Sequence, residues 1–199
     1  MYPLPIHRLI TAFTQLPSVG ARTAERFVFH LLKAGKKDAA DLANALQHIL
    51  ETIKSCAVCW DFSDRSPCAL CADAKRDQTT ICVIEEPQAL QTIEKTSEYH
   101  GLYHVLRGTI QPDDEESVPL LKINELLKRV ETEAVKEVIL ALNPDLTGET
   151  TMMFLEKKIR ETKPNLKISR LARGLPLGSD LQYADEITLG SALKNRTSR

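Results

Sequence analysis

At 199 residues, 43% hydrophobic and 27% charged, the chain has the make-up of a globular protein of one large domain or two modest ones. It has no apolar run near the roughly 20 residues that span a bilayer, and Met1-Tyr2-Pro3-Leu4-Pro5 lacks the layout of a secretory signal, so a cytoplasmic, reducing setting and no membrane partner are expected. A formal charge of -1 hides an uneven spread, with residues 1–55 at +3, 85–150 at -8 and 151–199 at +5, so a polyanion is expected to meet the ends rather than the middle.

Ile6, Leu9, Ile10 and Phe13 recur at helical spacing, predicting a first helix over 6–15. Pro17 and Gly20 break it, and Gly20 is assigned the tight turn. A second helix follows, with Ala24, Phe27, Val28, Leu31 and Leu32 on one face and Arg22, Arg26 and Lys33 on the other. The run Leu16-Pro17-Ser18-Val19-Gly20-Ala21-Arg22-Thr23-Ala24 resembles the helix-hairpin-helix motif. In that motif, backbone N–H groups at a helix N-terminus approach a DNA phosphate while basic side chains supply charge. The resemblance makes Gly20, Arg22, Arg26 and Lys33 the candidate DNA-binding residues. Ser18 departs from it, standing where the motif usually has its first glycine. The competing reading is a hairpin that only packs helices or subunits together. A third helix is predicted over 38–54, capped by Asp38, with Leu42, Leu46, Ile49, Leu50 and Ile53 as its apolar stripe.

Next come two Cys-x-x-Cys pairs, Cys56 with Cys59 and Cys68 with Cys71. Four thiolates at this spacing fill a zinc tetrahedron, so one structural Zn²⁺ per chain is expected, with no open position for catalysis. A redox role suits a lone Cys-x-x-Cys better than two such pairs side by side. Cys82 falls in an apolar run and reads as a small buried hydrophobe.

After a charged linker over 72–78, the period changes. Strand-like runs at 80–84, 102–106, 137–142 and 166–171 alternate with helical patterns at 87–97, 119–132 and 149–162. That alternation predicts an α/β fold with a mainly parallel sheet. An acidic loop over 111–118 and a tail from Gly174, with a closing helical stretch over 189–196, complete the chain. His100 and His104 read as structural or partner contacts rather than ligands.

Glu85 and Glu86 follow the first strand of this sheet, and Asn143-Pro144-Asp145-Leu146-Thr147-Gly148-Glu149 follows the strand at 137–142, at the strand ends where such sheets bind ligands. The arrangement is similar to the Toprim domain, in which a glutamate and a D-x-D hold Mg²⁺ for phosphoryl transfer. Glu85, Asp145 and Glu149 match its acids. Asn143 replaces the first aspartate and Thr147 a customary glutamate. The degenerate cluster Glu85, Glu86, Asn143, Asp145 and Glu149 is therefore expected to bind metal weakly or not at all, and to cleave nothing.

The order of parts resembles the RecR family of bacterial recombination mediators, supported by Glu85-Glu86-Pro87, the run Tyr99–Gly108 and Arg173-Gly174-Leu175-Pro176-Leu177-Gly178. Ser18, Thr147 and the acidic loop are its departures from that family. The resemblance implies a helix-hairpin-helix domain over 1–54, a four-cysteine zinc finger over 55–72, a Toprim domain over 79–174 and a C-terminal oligomerisation tail over 175–199. It also implies a non-catalytic protein of recombinational DNA repair that binds single- and double-stranded DNA. Such a protein forms a homo-oligomeric clamp, a dimer or tetrameric ring, and acts with RecO and RecF to load recombinase on single-stranded DNA. The alternative is a Mg²⁺-dependent Toprim nuclease acting on DNA or RNA.

Overall fold

The computed structural model describes residues 2–111 and 115–196, so residues 112–114 of the predicted acidic loop and the last three residues of the tail lie outside the described residues. The chain divides into two units, Met1–Ile53 and Lys54–Arg199.

The first unit is all-helical: α1 (Leu4–Thr14), α2 (Ala21–Ala34) and α3 (Lys36–Thr52). In the turn between α1 and α2 the Val19 N–H donates to the Leu16 carbonyl at 3.1 Å. The left-handed residue of this turn is Ser18, at φ 63°, and not Gly20. Gly20 is extended, at φ -81° and ψ 168°, and serves as the N-cap of α2, a conformation open to any residue. The expectation that Gly20 makes the tight turn is corrected accordingly. A non-glycine residue in the left-handed region costs about 1 kcal/mol, so Ser18→Gly is expected to stabilise this unit by about that amount. A raised urea midpoint at unchanged slope would show it.

Helix α3 begins earlier than its pattern suggests. Gly35, at φ 106°, closes α2 and caps α3, which leaves Asp38 in the first turn rather than at the cap. There its carboxylate still opposes the helix dipole. The chain leaves the helix at Ile53, and Lys54 already belongs to a strand. The apolar stripe of α3 is real but open, since no residue of the helix is buried. Leu42 and Leu46 instead line, with Leu9, Phe13, Leu16 and Leu32, an apolar groove of about 540 Å³.

The second unit opens with a two-stranded antiparallel ribbon, β1 (Lys54–Ser55) and β2 (Phe62–Ser63), and the short α4 (Ala69–Ala72). Then β3 (Asp77–Ile84), β4 (Gly101–Val105), β5 (Glu137–Leu140) and β6 (Lys167–Arg170) form a parallel sheet in the order β4-β3-β5-β6. Helices α5 (Pro87–Glu94), α6 (Ile123–Val130) and α7 (Leu146–Thr162) connect them, and α8 (Glu186–Lys194) follows the sheet. Residues 81–84 are buried on both faces, as their continuous apolar run requires. Because strand side chains alternate, Ile81 and Val83 join α6 and α7 in one core while Cys82 and Ile84 join α5 in the other. Each such fully buried aliphatic side chain contributes about 1.5–3 kcal/mol.

Several ends differ from the sequence pattern for local reasons. β3 starts at Asp77, inside the supposed linker, because the Asp77 N–H reaches the His100 carbonyl at 2.8 Å. Pro119 lies in a 3₁₀ turn over Glu115–Leu120, so α6 starts only at Ile123. Side-chain caps from Asp145 and Asp185 start α7 at Leu146 and α8 at Glu186, ahead of the predicted positions.

His104 is wholly buried in β4. Its Nε2 donates to the Lys122 carbonyl at 2.7 Å, and its Nδ1 accepts from Arg129 at 3.2 Å. Burial, with the Arg129 charge beside it, pushes the imidazole down to about 3 and keeps it neutral. His104 is thus structural, while His100 is exposed. Among the described residues, no helix is long and apolar enough to cross a membrane.

Candidate functional site

The first site is the cysteine cluster, and it lies within the second unit. The Sγ atoms of Cys56, Cys59, Cys68 and Cys71 all fall within 4.8 Å of one another. Four thiolates at zinc-bond length sit about 3.8 Å apart along each tetrahedral edge, and the Cys59 and Cys68 sulfurs are 3.6 Å apart. The backbone N–H groups of Val58 and Cys68 point at the Cys56 sulfur, at 3.4 and 3.3 Å. Such donors suit a sulfur carrying negative charge. The cluster therefore fits zinc, with all four corners filled by protein.

The loop that presents these cysteines is pinned to the sheet. The Val105 N–H donates to the Cys59 carbonyl at 2.8 Å. Arg107 donates to the Trp60 carbonyl at 2.8 Å and to Ser55 Oγ at 3.0 Å, with its guanidinium 3.7 Å from the centre of the Phe62 ring. The sequence pattern flagged Arg107 only as part of the run Tyr99–Gly108 and gave it no role, because nothing in its neighbourhood marks a contact 47 residues away. Cys82 lies in β3, outside the cluster.

The second site is the carboxylate group at the strand ends. β3 and β5 are parallel neighbours with Val83 opposite Leu140, so the chain delivers Glu85 and Asn143 side by side. The Asn143 side-chain amide donates to Glu85 Oε1. Glu85 Oε2 is buried without a partner among the described residues. Burial, then the nearby Asp145 and Glu86 charges, raises the Glu85 carboxyl above its ordinary range. Glu86 is exposed.

The remaining acids are committed elsewhere. Asp145 Oδ1 caps α7, accepting from the Gly148 N–H at 2.8 Å and the Thr147 hydroxyl at 2.9 Å, and these bonds lower its carboxyl. Glu149 accepts from Arg173 and, at 3.0 Å, from Arg170, whose Nε also holds Glu156 at 2.8 Å. Thr147, where a glutamate is usual, thus serves the cap. Among the described residues, the cysteines are the sole group of three or more metal-ligating side chains within reach of one another. The structure brings Glu85 to Asn143 but turns Asp145 and Glu149 to partners of their own. Arg170 was not flagged by the sequence pattern, and Arg173 only as part of a glycine-containing stretch.

The third site is the outward face of α2. Arg22, Arg26 and Lys33 are exposed, and among the described residues none pairs with a carboxylate. Gly20 caps this helix without a side chain, and a Cβ there would meet nothing within 4 Å, so the first N–H groups of α2 stand open beside Arg22. This is the setting in which a helix N-terminus accepts a phosphate.

Family profiles cover nearly the whole chain in one order. A profile described as RecR, helix-hairpin-helix matches residues 6–50, and the RecR profile for a zinc finger domain of four cysteines matches 53–73. The Toprim domain profile matches 79–172, and RecR, C-terminal matches 174–197. A protein of Bifidobacterium longum (strain DJO10A) named Recombination protein RecR is 48% identical over 195 residues, covering 98% of this chain and 96% of that one. The similarly named protein of Moorella thermoacetica is 47% identical, over 98% of this chain and 97% of its own. That of Clostridium perfringens (strain ATCC 13124) is 44% identical over 98% of each. With its cysteines gathered as a four-cysteine zinc finger, its acids at the ends of a parallel Toprim sheet and these relatives along nearly its full length, the chain belongs to the RecR family.

Proposed function

We propose that the protein is a non-catalytic DNA-binding component of recombinational DNA repair, working in the cytoplasm as a homo-oligomeric clamp. In this reading it acts with RecO and RecF to load recombinase on single-stranded DNA. One observation carries the DNA-binding step: three cations, unpaired among the described residues, share one face of α2 with an open helix N-terminus. The relatives' shared name supports recombination as the setting.

Two features bear on the oligomer. The first unit leaves Leu46, Ile49 and Leu50 exposed, and the tail leaves Leu177, Tyr183 and Ile187 exposed. These apolar surfaces suit contacts between copies, which fits a dimer or tetrameric ring. Mass measurement in solution, with and without DNA, tests the clamp, and a monomer in both states would remove it.

The nuclease reading fares worse. Its acids do not converge, since Asp145 is occupied by a helix cap and Glu149 by two guanidinium groups. Metal-dependent cleavage needs carboxylates free to bridge an ion to substrate.

The hairpin is tested by Arg22→Ala combined with Arg26→Ala. Removing two phosphate contacts is expected to weaken DNA binding about tenfold or more near physiological salt and to flatten the salt dependence by nearly two charges. Fluorescence anisotropy across a salt series measures both. Unchanged affinity in the double variant would take α2 out of the account.

A further inference from the structure

The cation face of α2 is flanked by aromatic side chains, with Phe27 reaching it from the apolar side and Phe29 from the other. Arg26, Phe27, Phe29, His30 and Lys33 line a groove of about 490 Å³, and no acidic side chain is among them. Phe27 is 41% exposed although aromatic. Both rings are held in place by edge-to-face partners. Phe13 lies 5.7 Å from Phe27 at 75°, and Tyr2 lies 5.3 Å from Phe29 at 61°. The Tyr2 hydroxyl also donates to the Glu25 carboxylate, which engages the one acid on α2.

A contact made only to the DNA backbone needs cations and N–H groups and gains nothing from aromatic walls. We propose that this groove takes an unpaired nucleobase of single-stranded DNA between its two aromatic walls, Phe27 on one side and Phe29 on the other, with Arg26 and Lys33 holding the flanking phosphates. Seven residues of helix separate the two cations by about 10 Å along the axis, which leaves room for a base between them. Bases inside a duplex are stacked on each other and offer no free face, so the groove favours single strands. Rings already fixed by Phe13 and Tyr2 lose little freedom when a base lands on them. The inference rests on the reading of α2 as the DNA-binding face.

The test is anisotropy at one salt concentration with an oligothymidine and an abasic oligomer of equal length. The wild-type protein is expected to bind the oligothymidine about tenfold more tightly, the size of one base–aromatic stack. Phe27→Leu and Phe29→Leu keep apolar bulk and are each expected to reduce that preference while leaving abasic affinity unchanged. Equal wild-type affinity for the two oligomers overturns the proposal, as do leucine variants that keep the full preference or weaken both oligomers alike. The Arg22→Ala, Arg26→Ala variant separates the two layers. It is expected to weaken both oligomers, and if it weakens neither, α2 is not the DNA-binding face at all.

Discussion

Cys68→Ser is expected to abolish stoichiometric zinc binding and to unfold the loop between β1 and α4. Cys68 places its sulfur 3.6 Å from that of Cys59, so the change removes one corner of the tetrahedron. A serine hydroxyl stays protonated near neutral pH and is a poor fourth ligand. Structural zinc lends small modules an apparent 10–16 kcal/mol or so of folding free energy near neutral pH, and most of that should be lost locally. The damage should stay bounded, because the sheet has its own core from Ile81, Val83, Leu126 and Leu155. What joins loop to sheet is a short set of contacts, the Val105–Cys59 backbone bond and the Arg107 bonds to Trp60 and Ser55. Elemental analysis should fall from one zinc per chain to none, and limited proteolysis should cut between residues 54 and 76 while the sheet resists. A variant that keeps one zinc and its melting temperature would sink the assignment of Cys68 as a ligand. Chelation of the wild-type protein should reproduce the same cleavage pattern.

The zinc module was legible because its information is local. Two Cys-x-x-Cys pairs need no knowledge of the rest of the fold to imply a tetrahedron. The parallel sheet was legible for a related reason, since residues 81–84 are apolar without alternation, and so short a run, rich in β-branched residues, suits a strand covered on both faces. What escaped the sequence depends on groups brought together from afar. The arginines that hold Glu149 are 21 and 24 residues from it, and only β6 lying beside β5 carries Arg170 to α7. The hairpin shows a subtler limit. Glycine marks where a left-handed residue is easy, not where one occurs, and here Ser18 takes that conformation while Gly20 does not. Periodicity likewise identified the apolar face of α3 but is silent on whether anything covers it.

At Gly148 the backbone itself demands glycine, and the demand comes from the candidate acid site. Gly148 sits in the first turn of α7, where its N–H donates to Asp145 Oδ1 at 2.8 Å. The Asn143-to-Asp145 loop folds back so closely that a Cβ at Gly148 would overlap the Asn143 carbonyl oxygen and lie 3.3 Å from Asp145 Oδ1. The overlapped Asn143 oxygen is backbone and cannot swing aside, so the loop must move as a body. Moving it breaks the cap of α7 and shifts Asn143 away from Glu85, whose other oxygen is already buried without a partner. Loss of a cap costs about 1 kcal/mol, overpacking about 1–3 kcal/mol, and a partly stripped buried carboxylate more again. Gly148→Ala is therefore expected to destabilise the second unit by about 3 kcal/mol or more, despite adding one methyl group to a helix. Urea unfolding followed by circular dichroism measures it, and zinc content should stay at one per chain because the cysteine loop is packed elsewhere on the sheet. An alanine variant as stable as the wild type would mean that the loop does not approach the helix as described, and the Glu85–Asn143 pairing would fall with it.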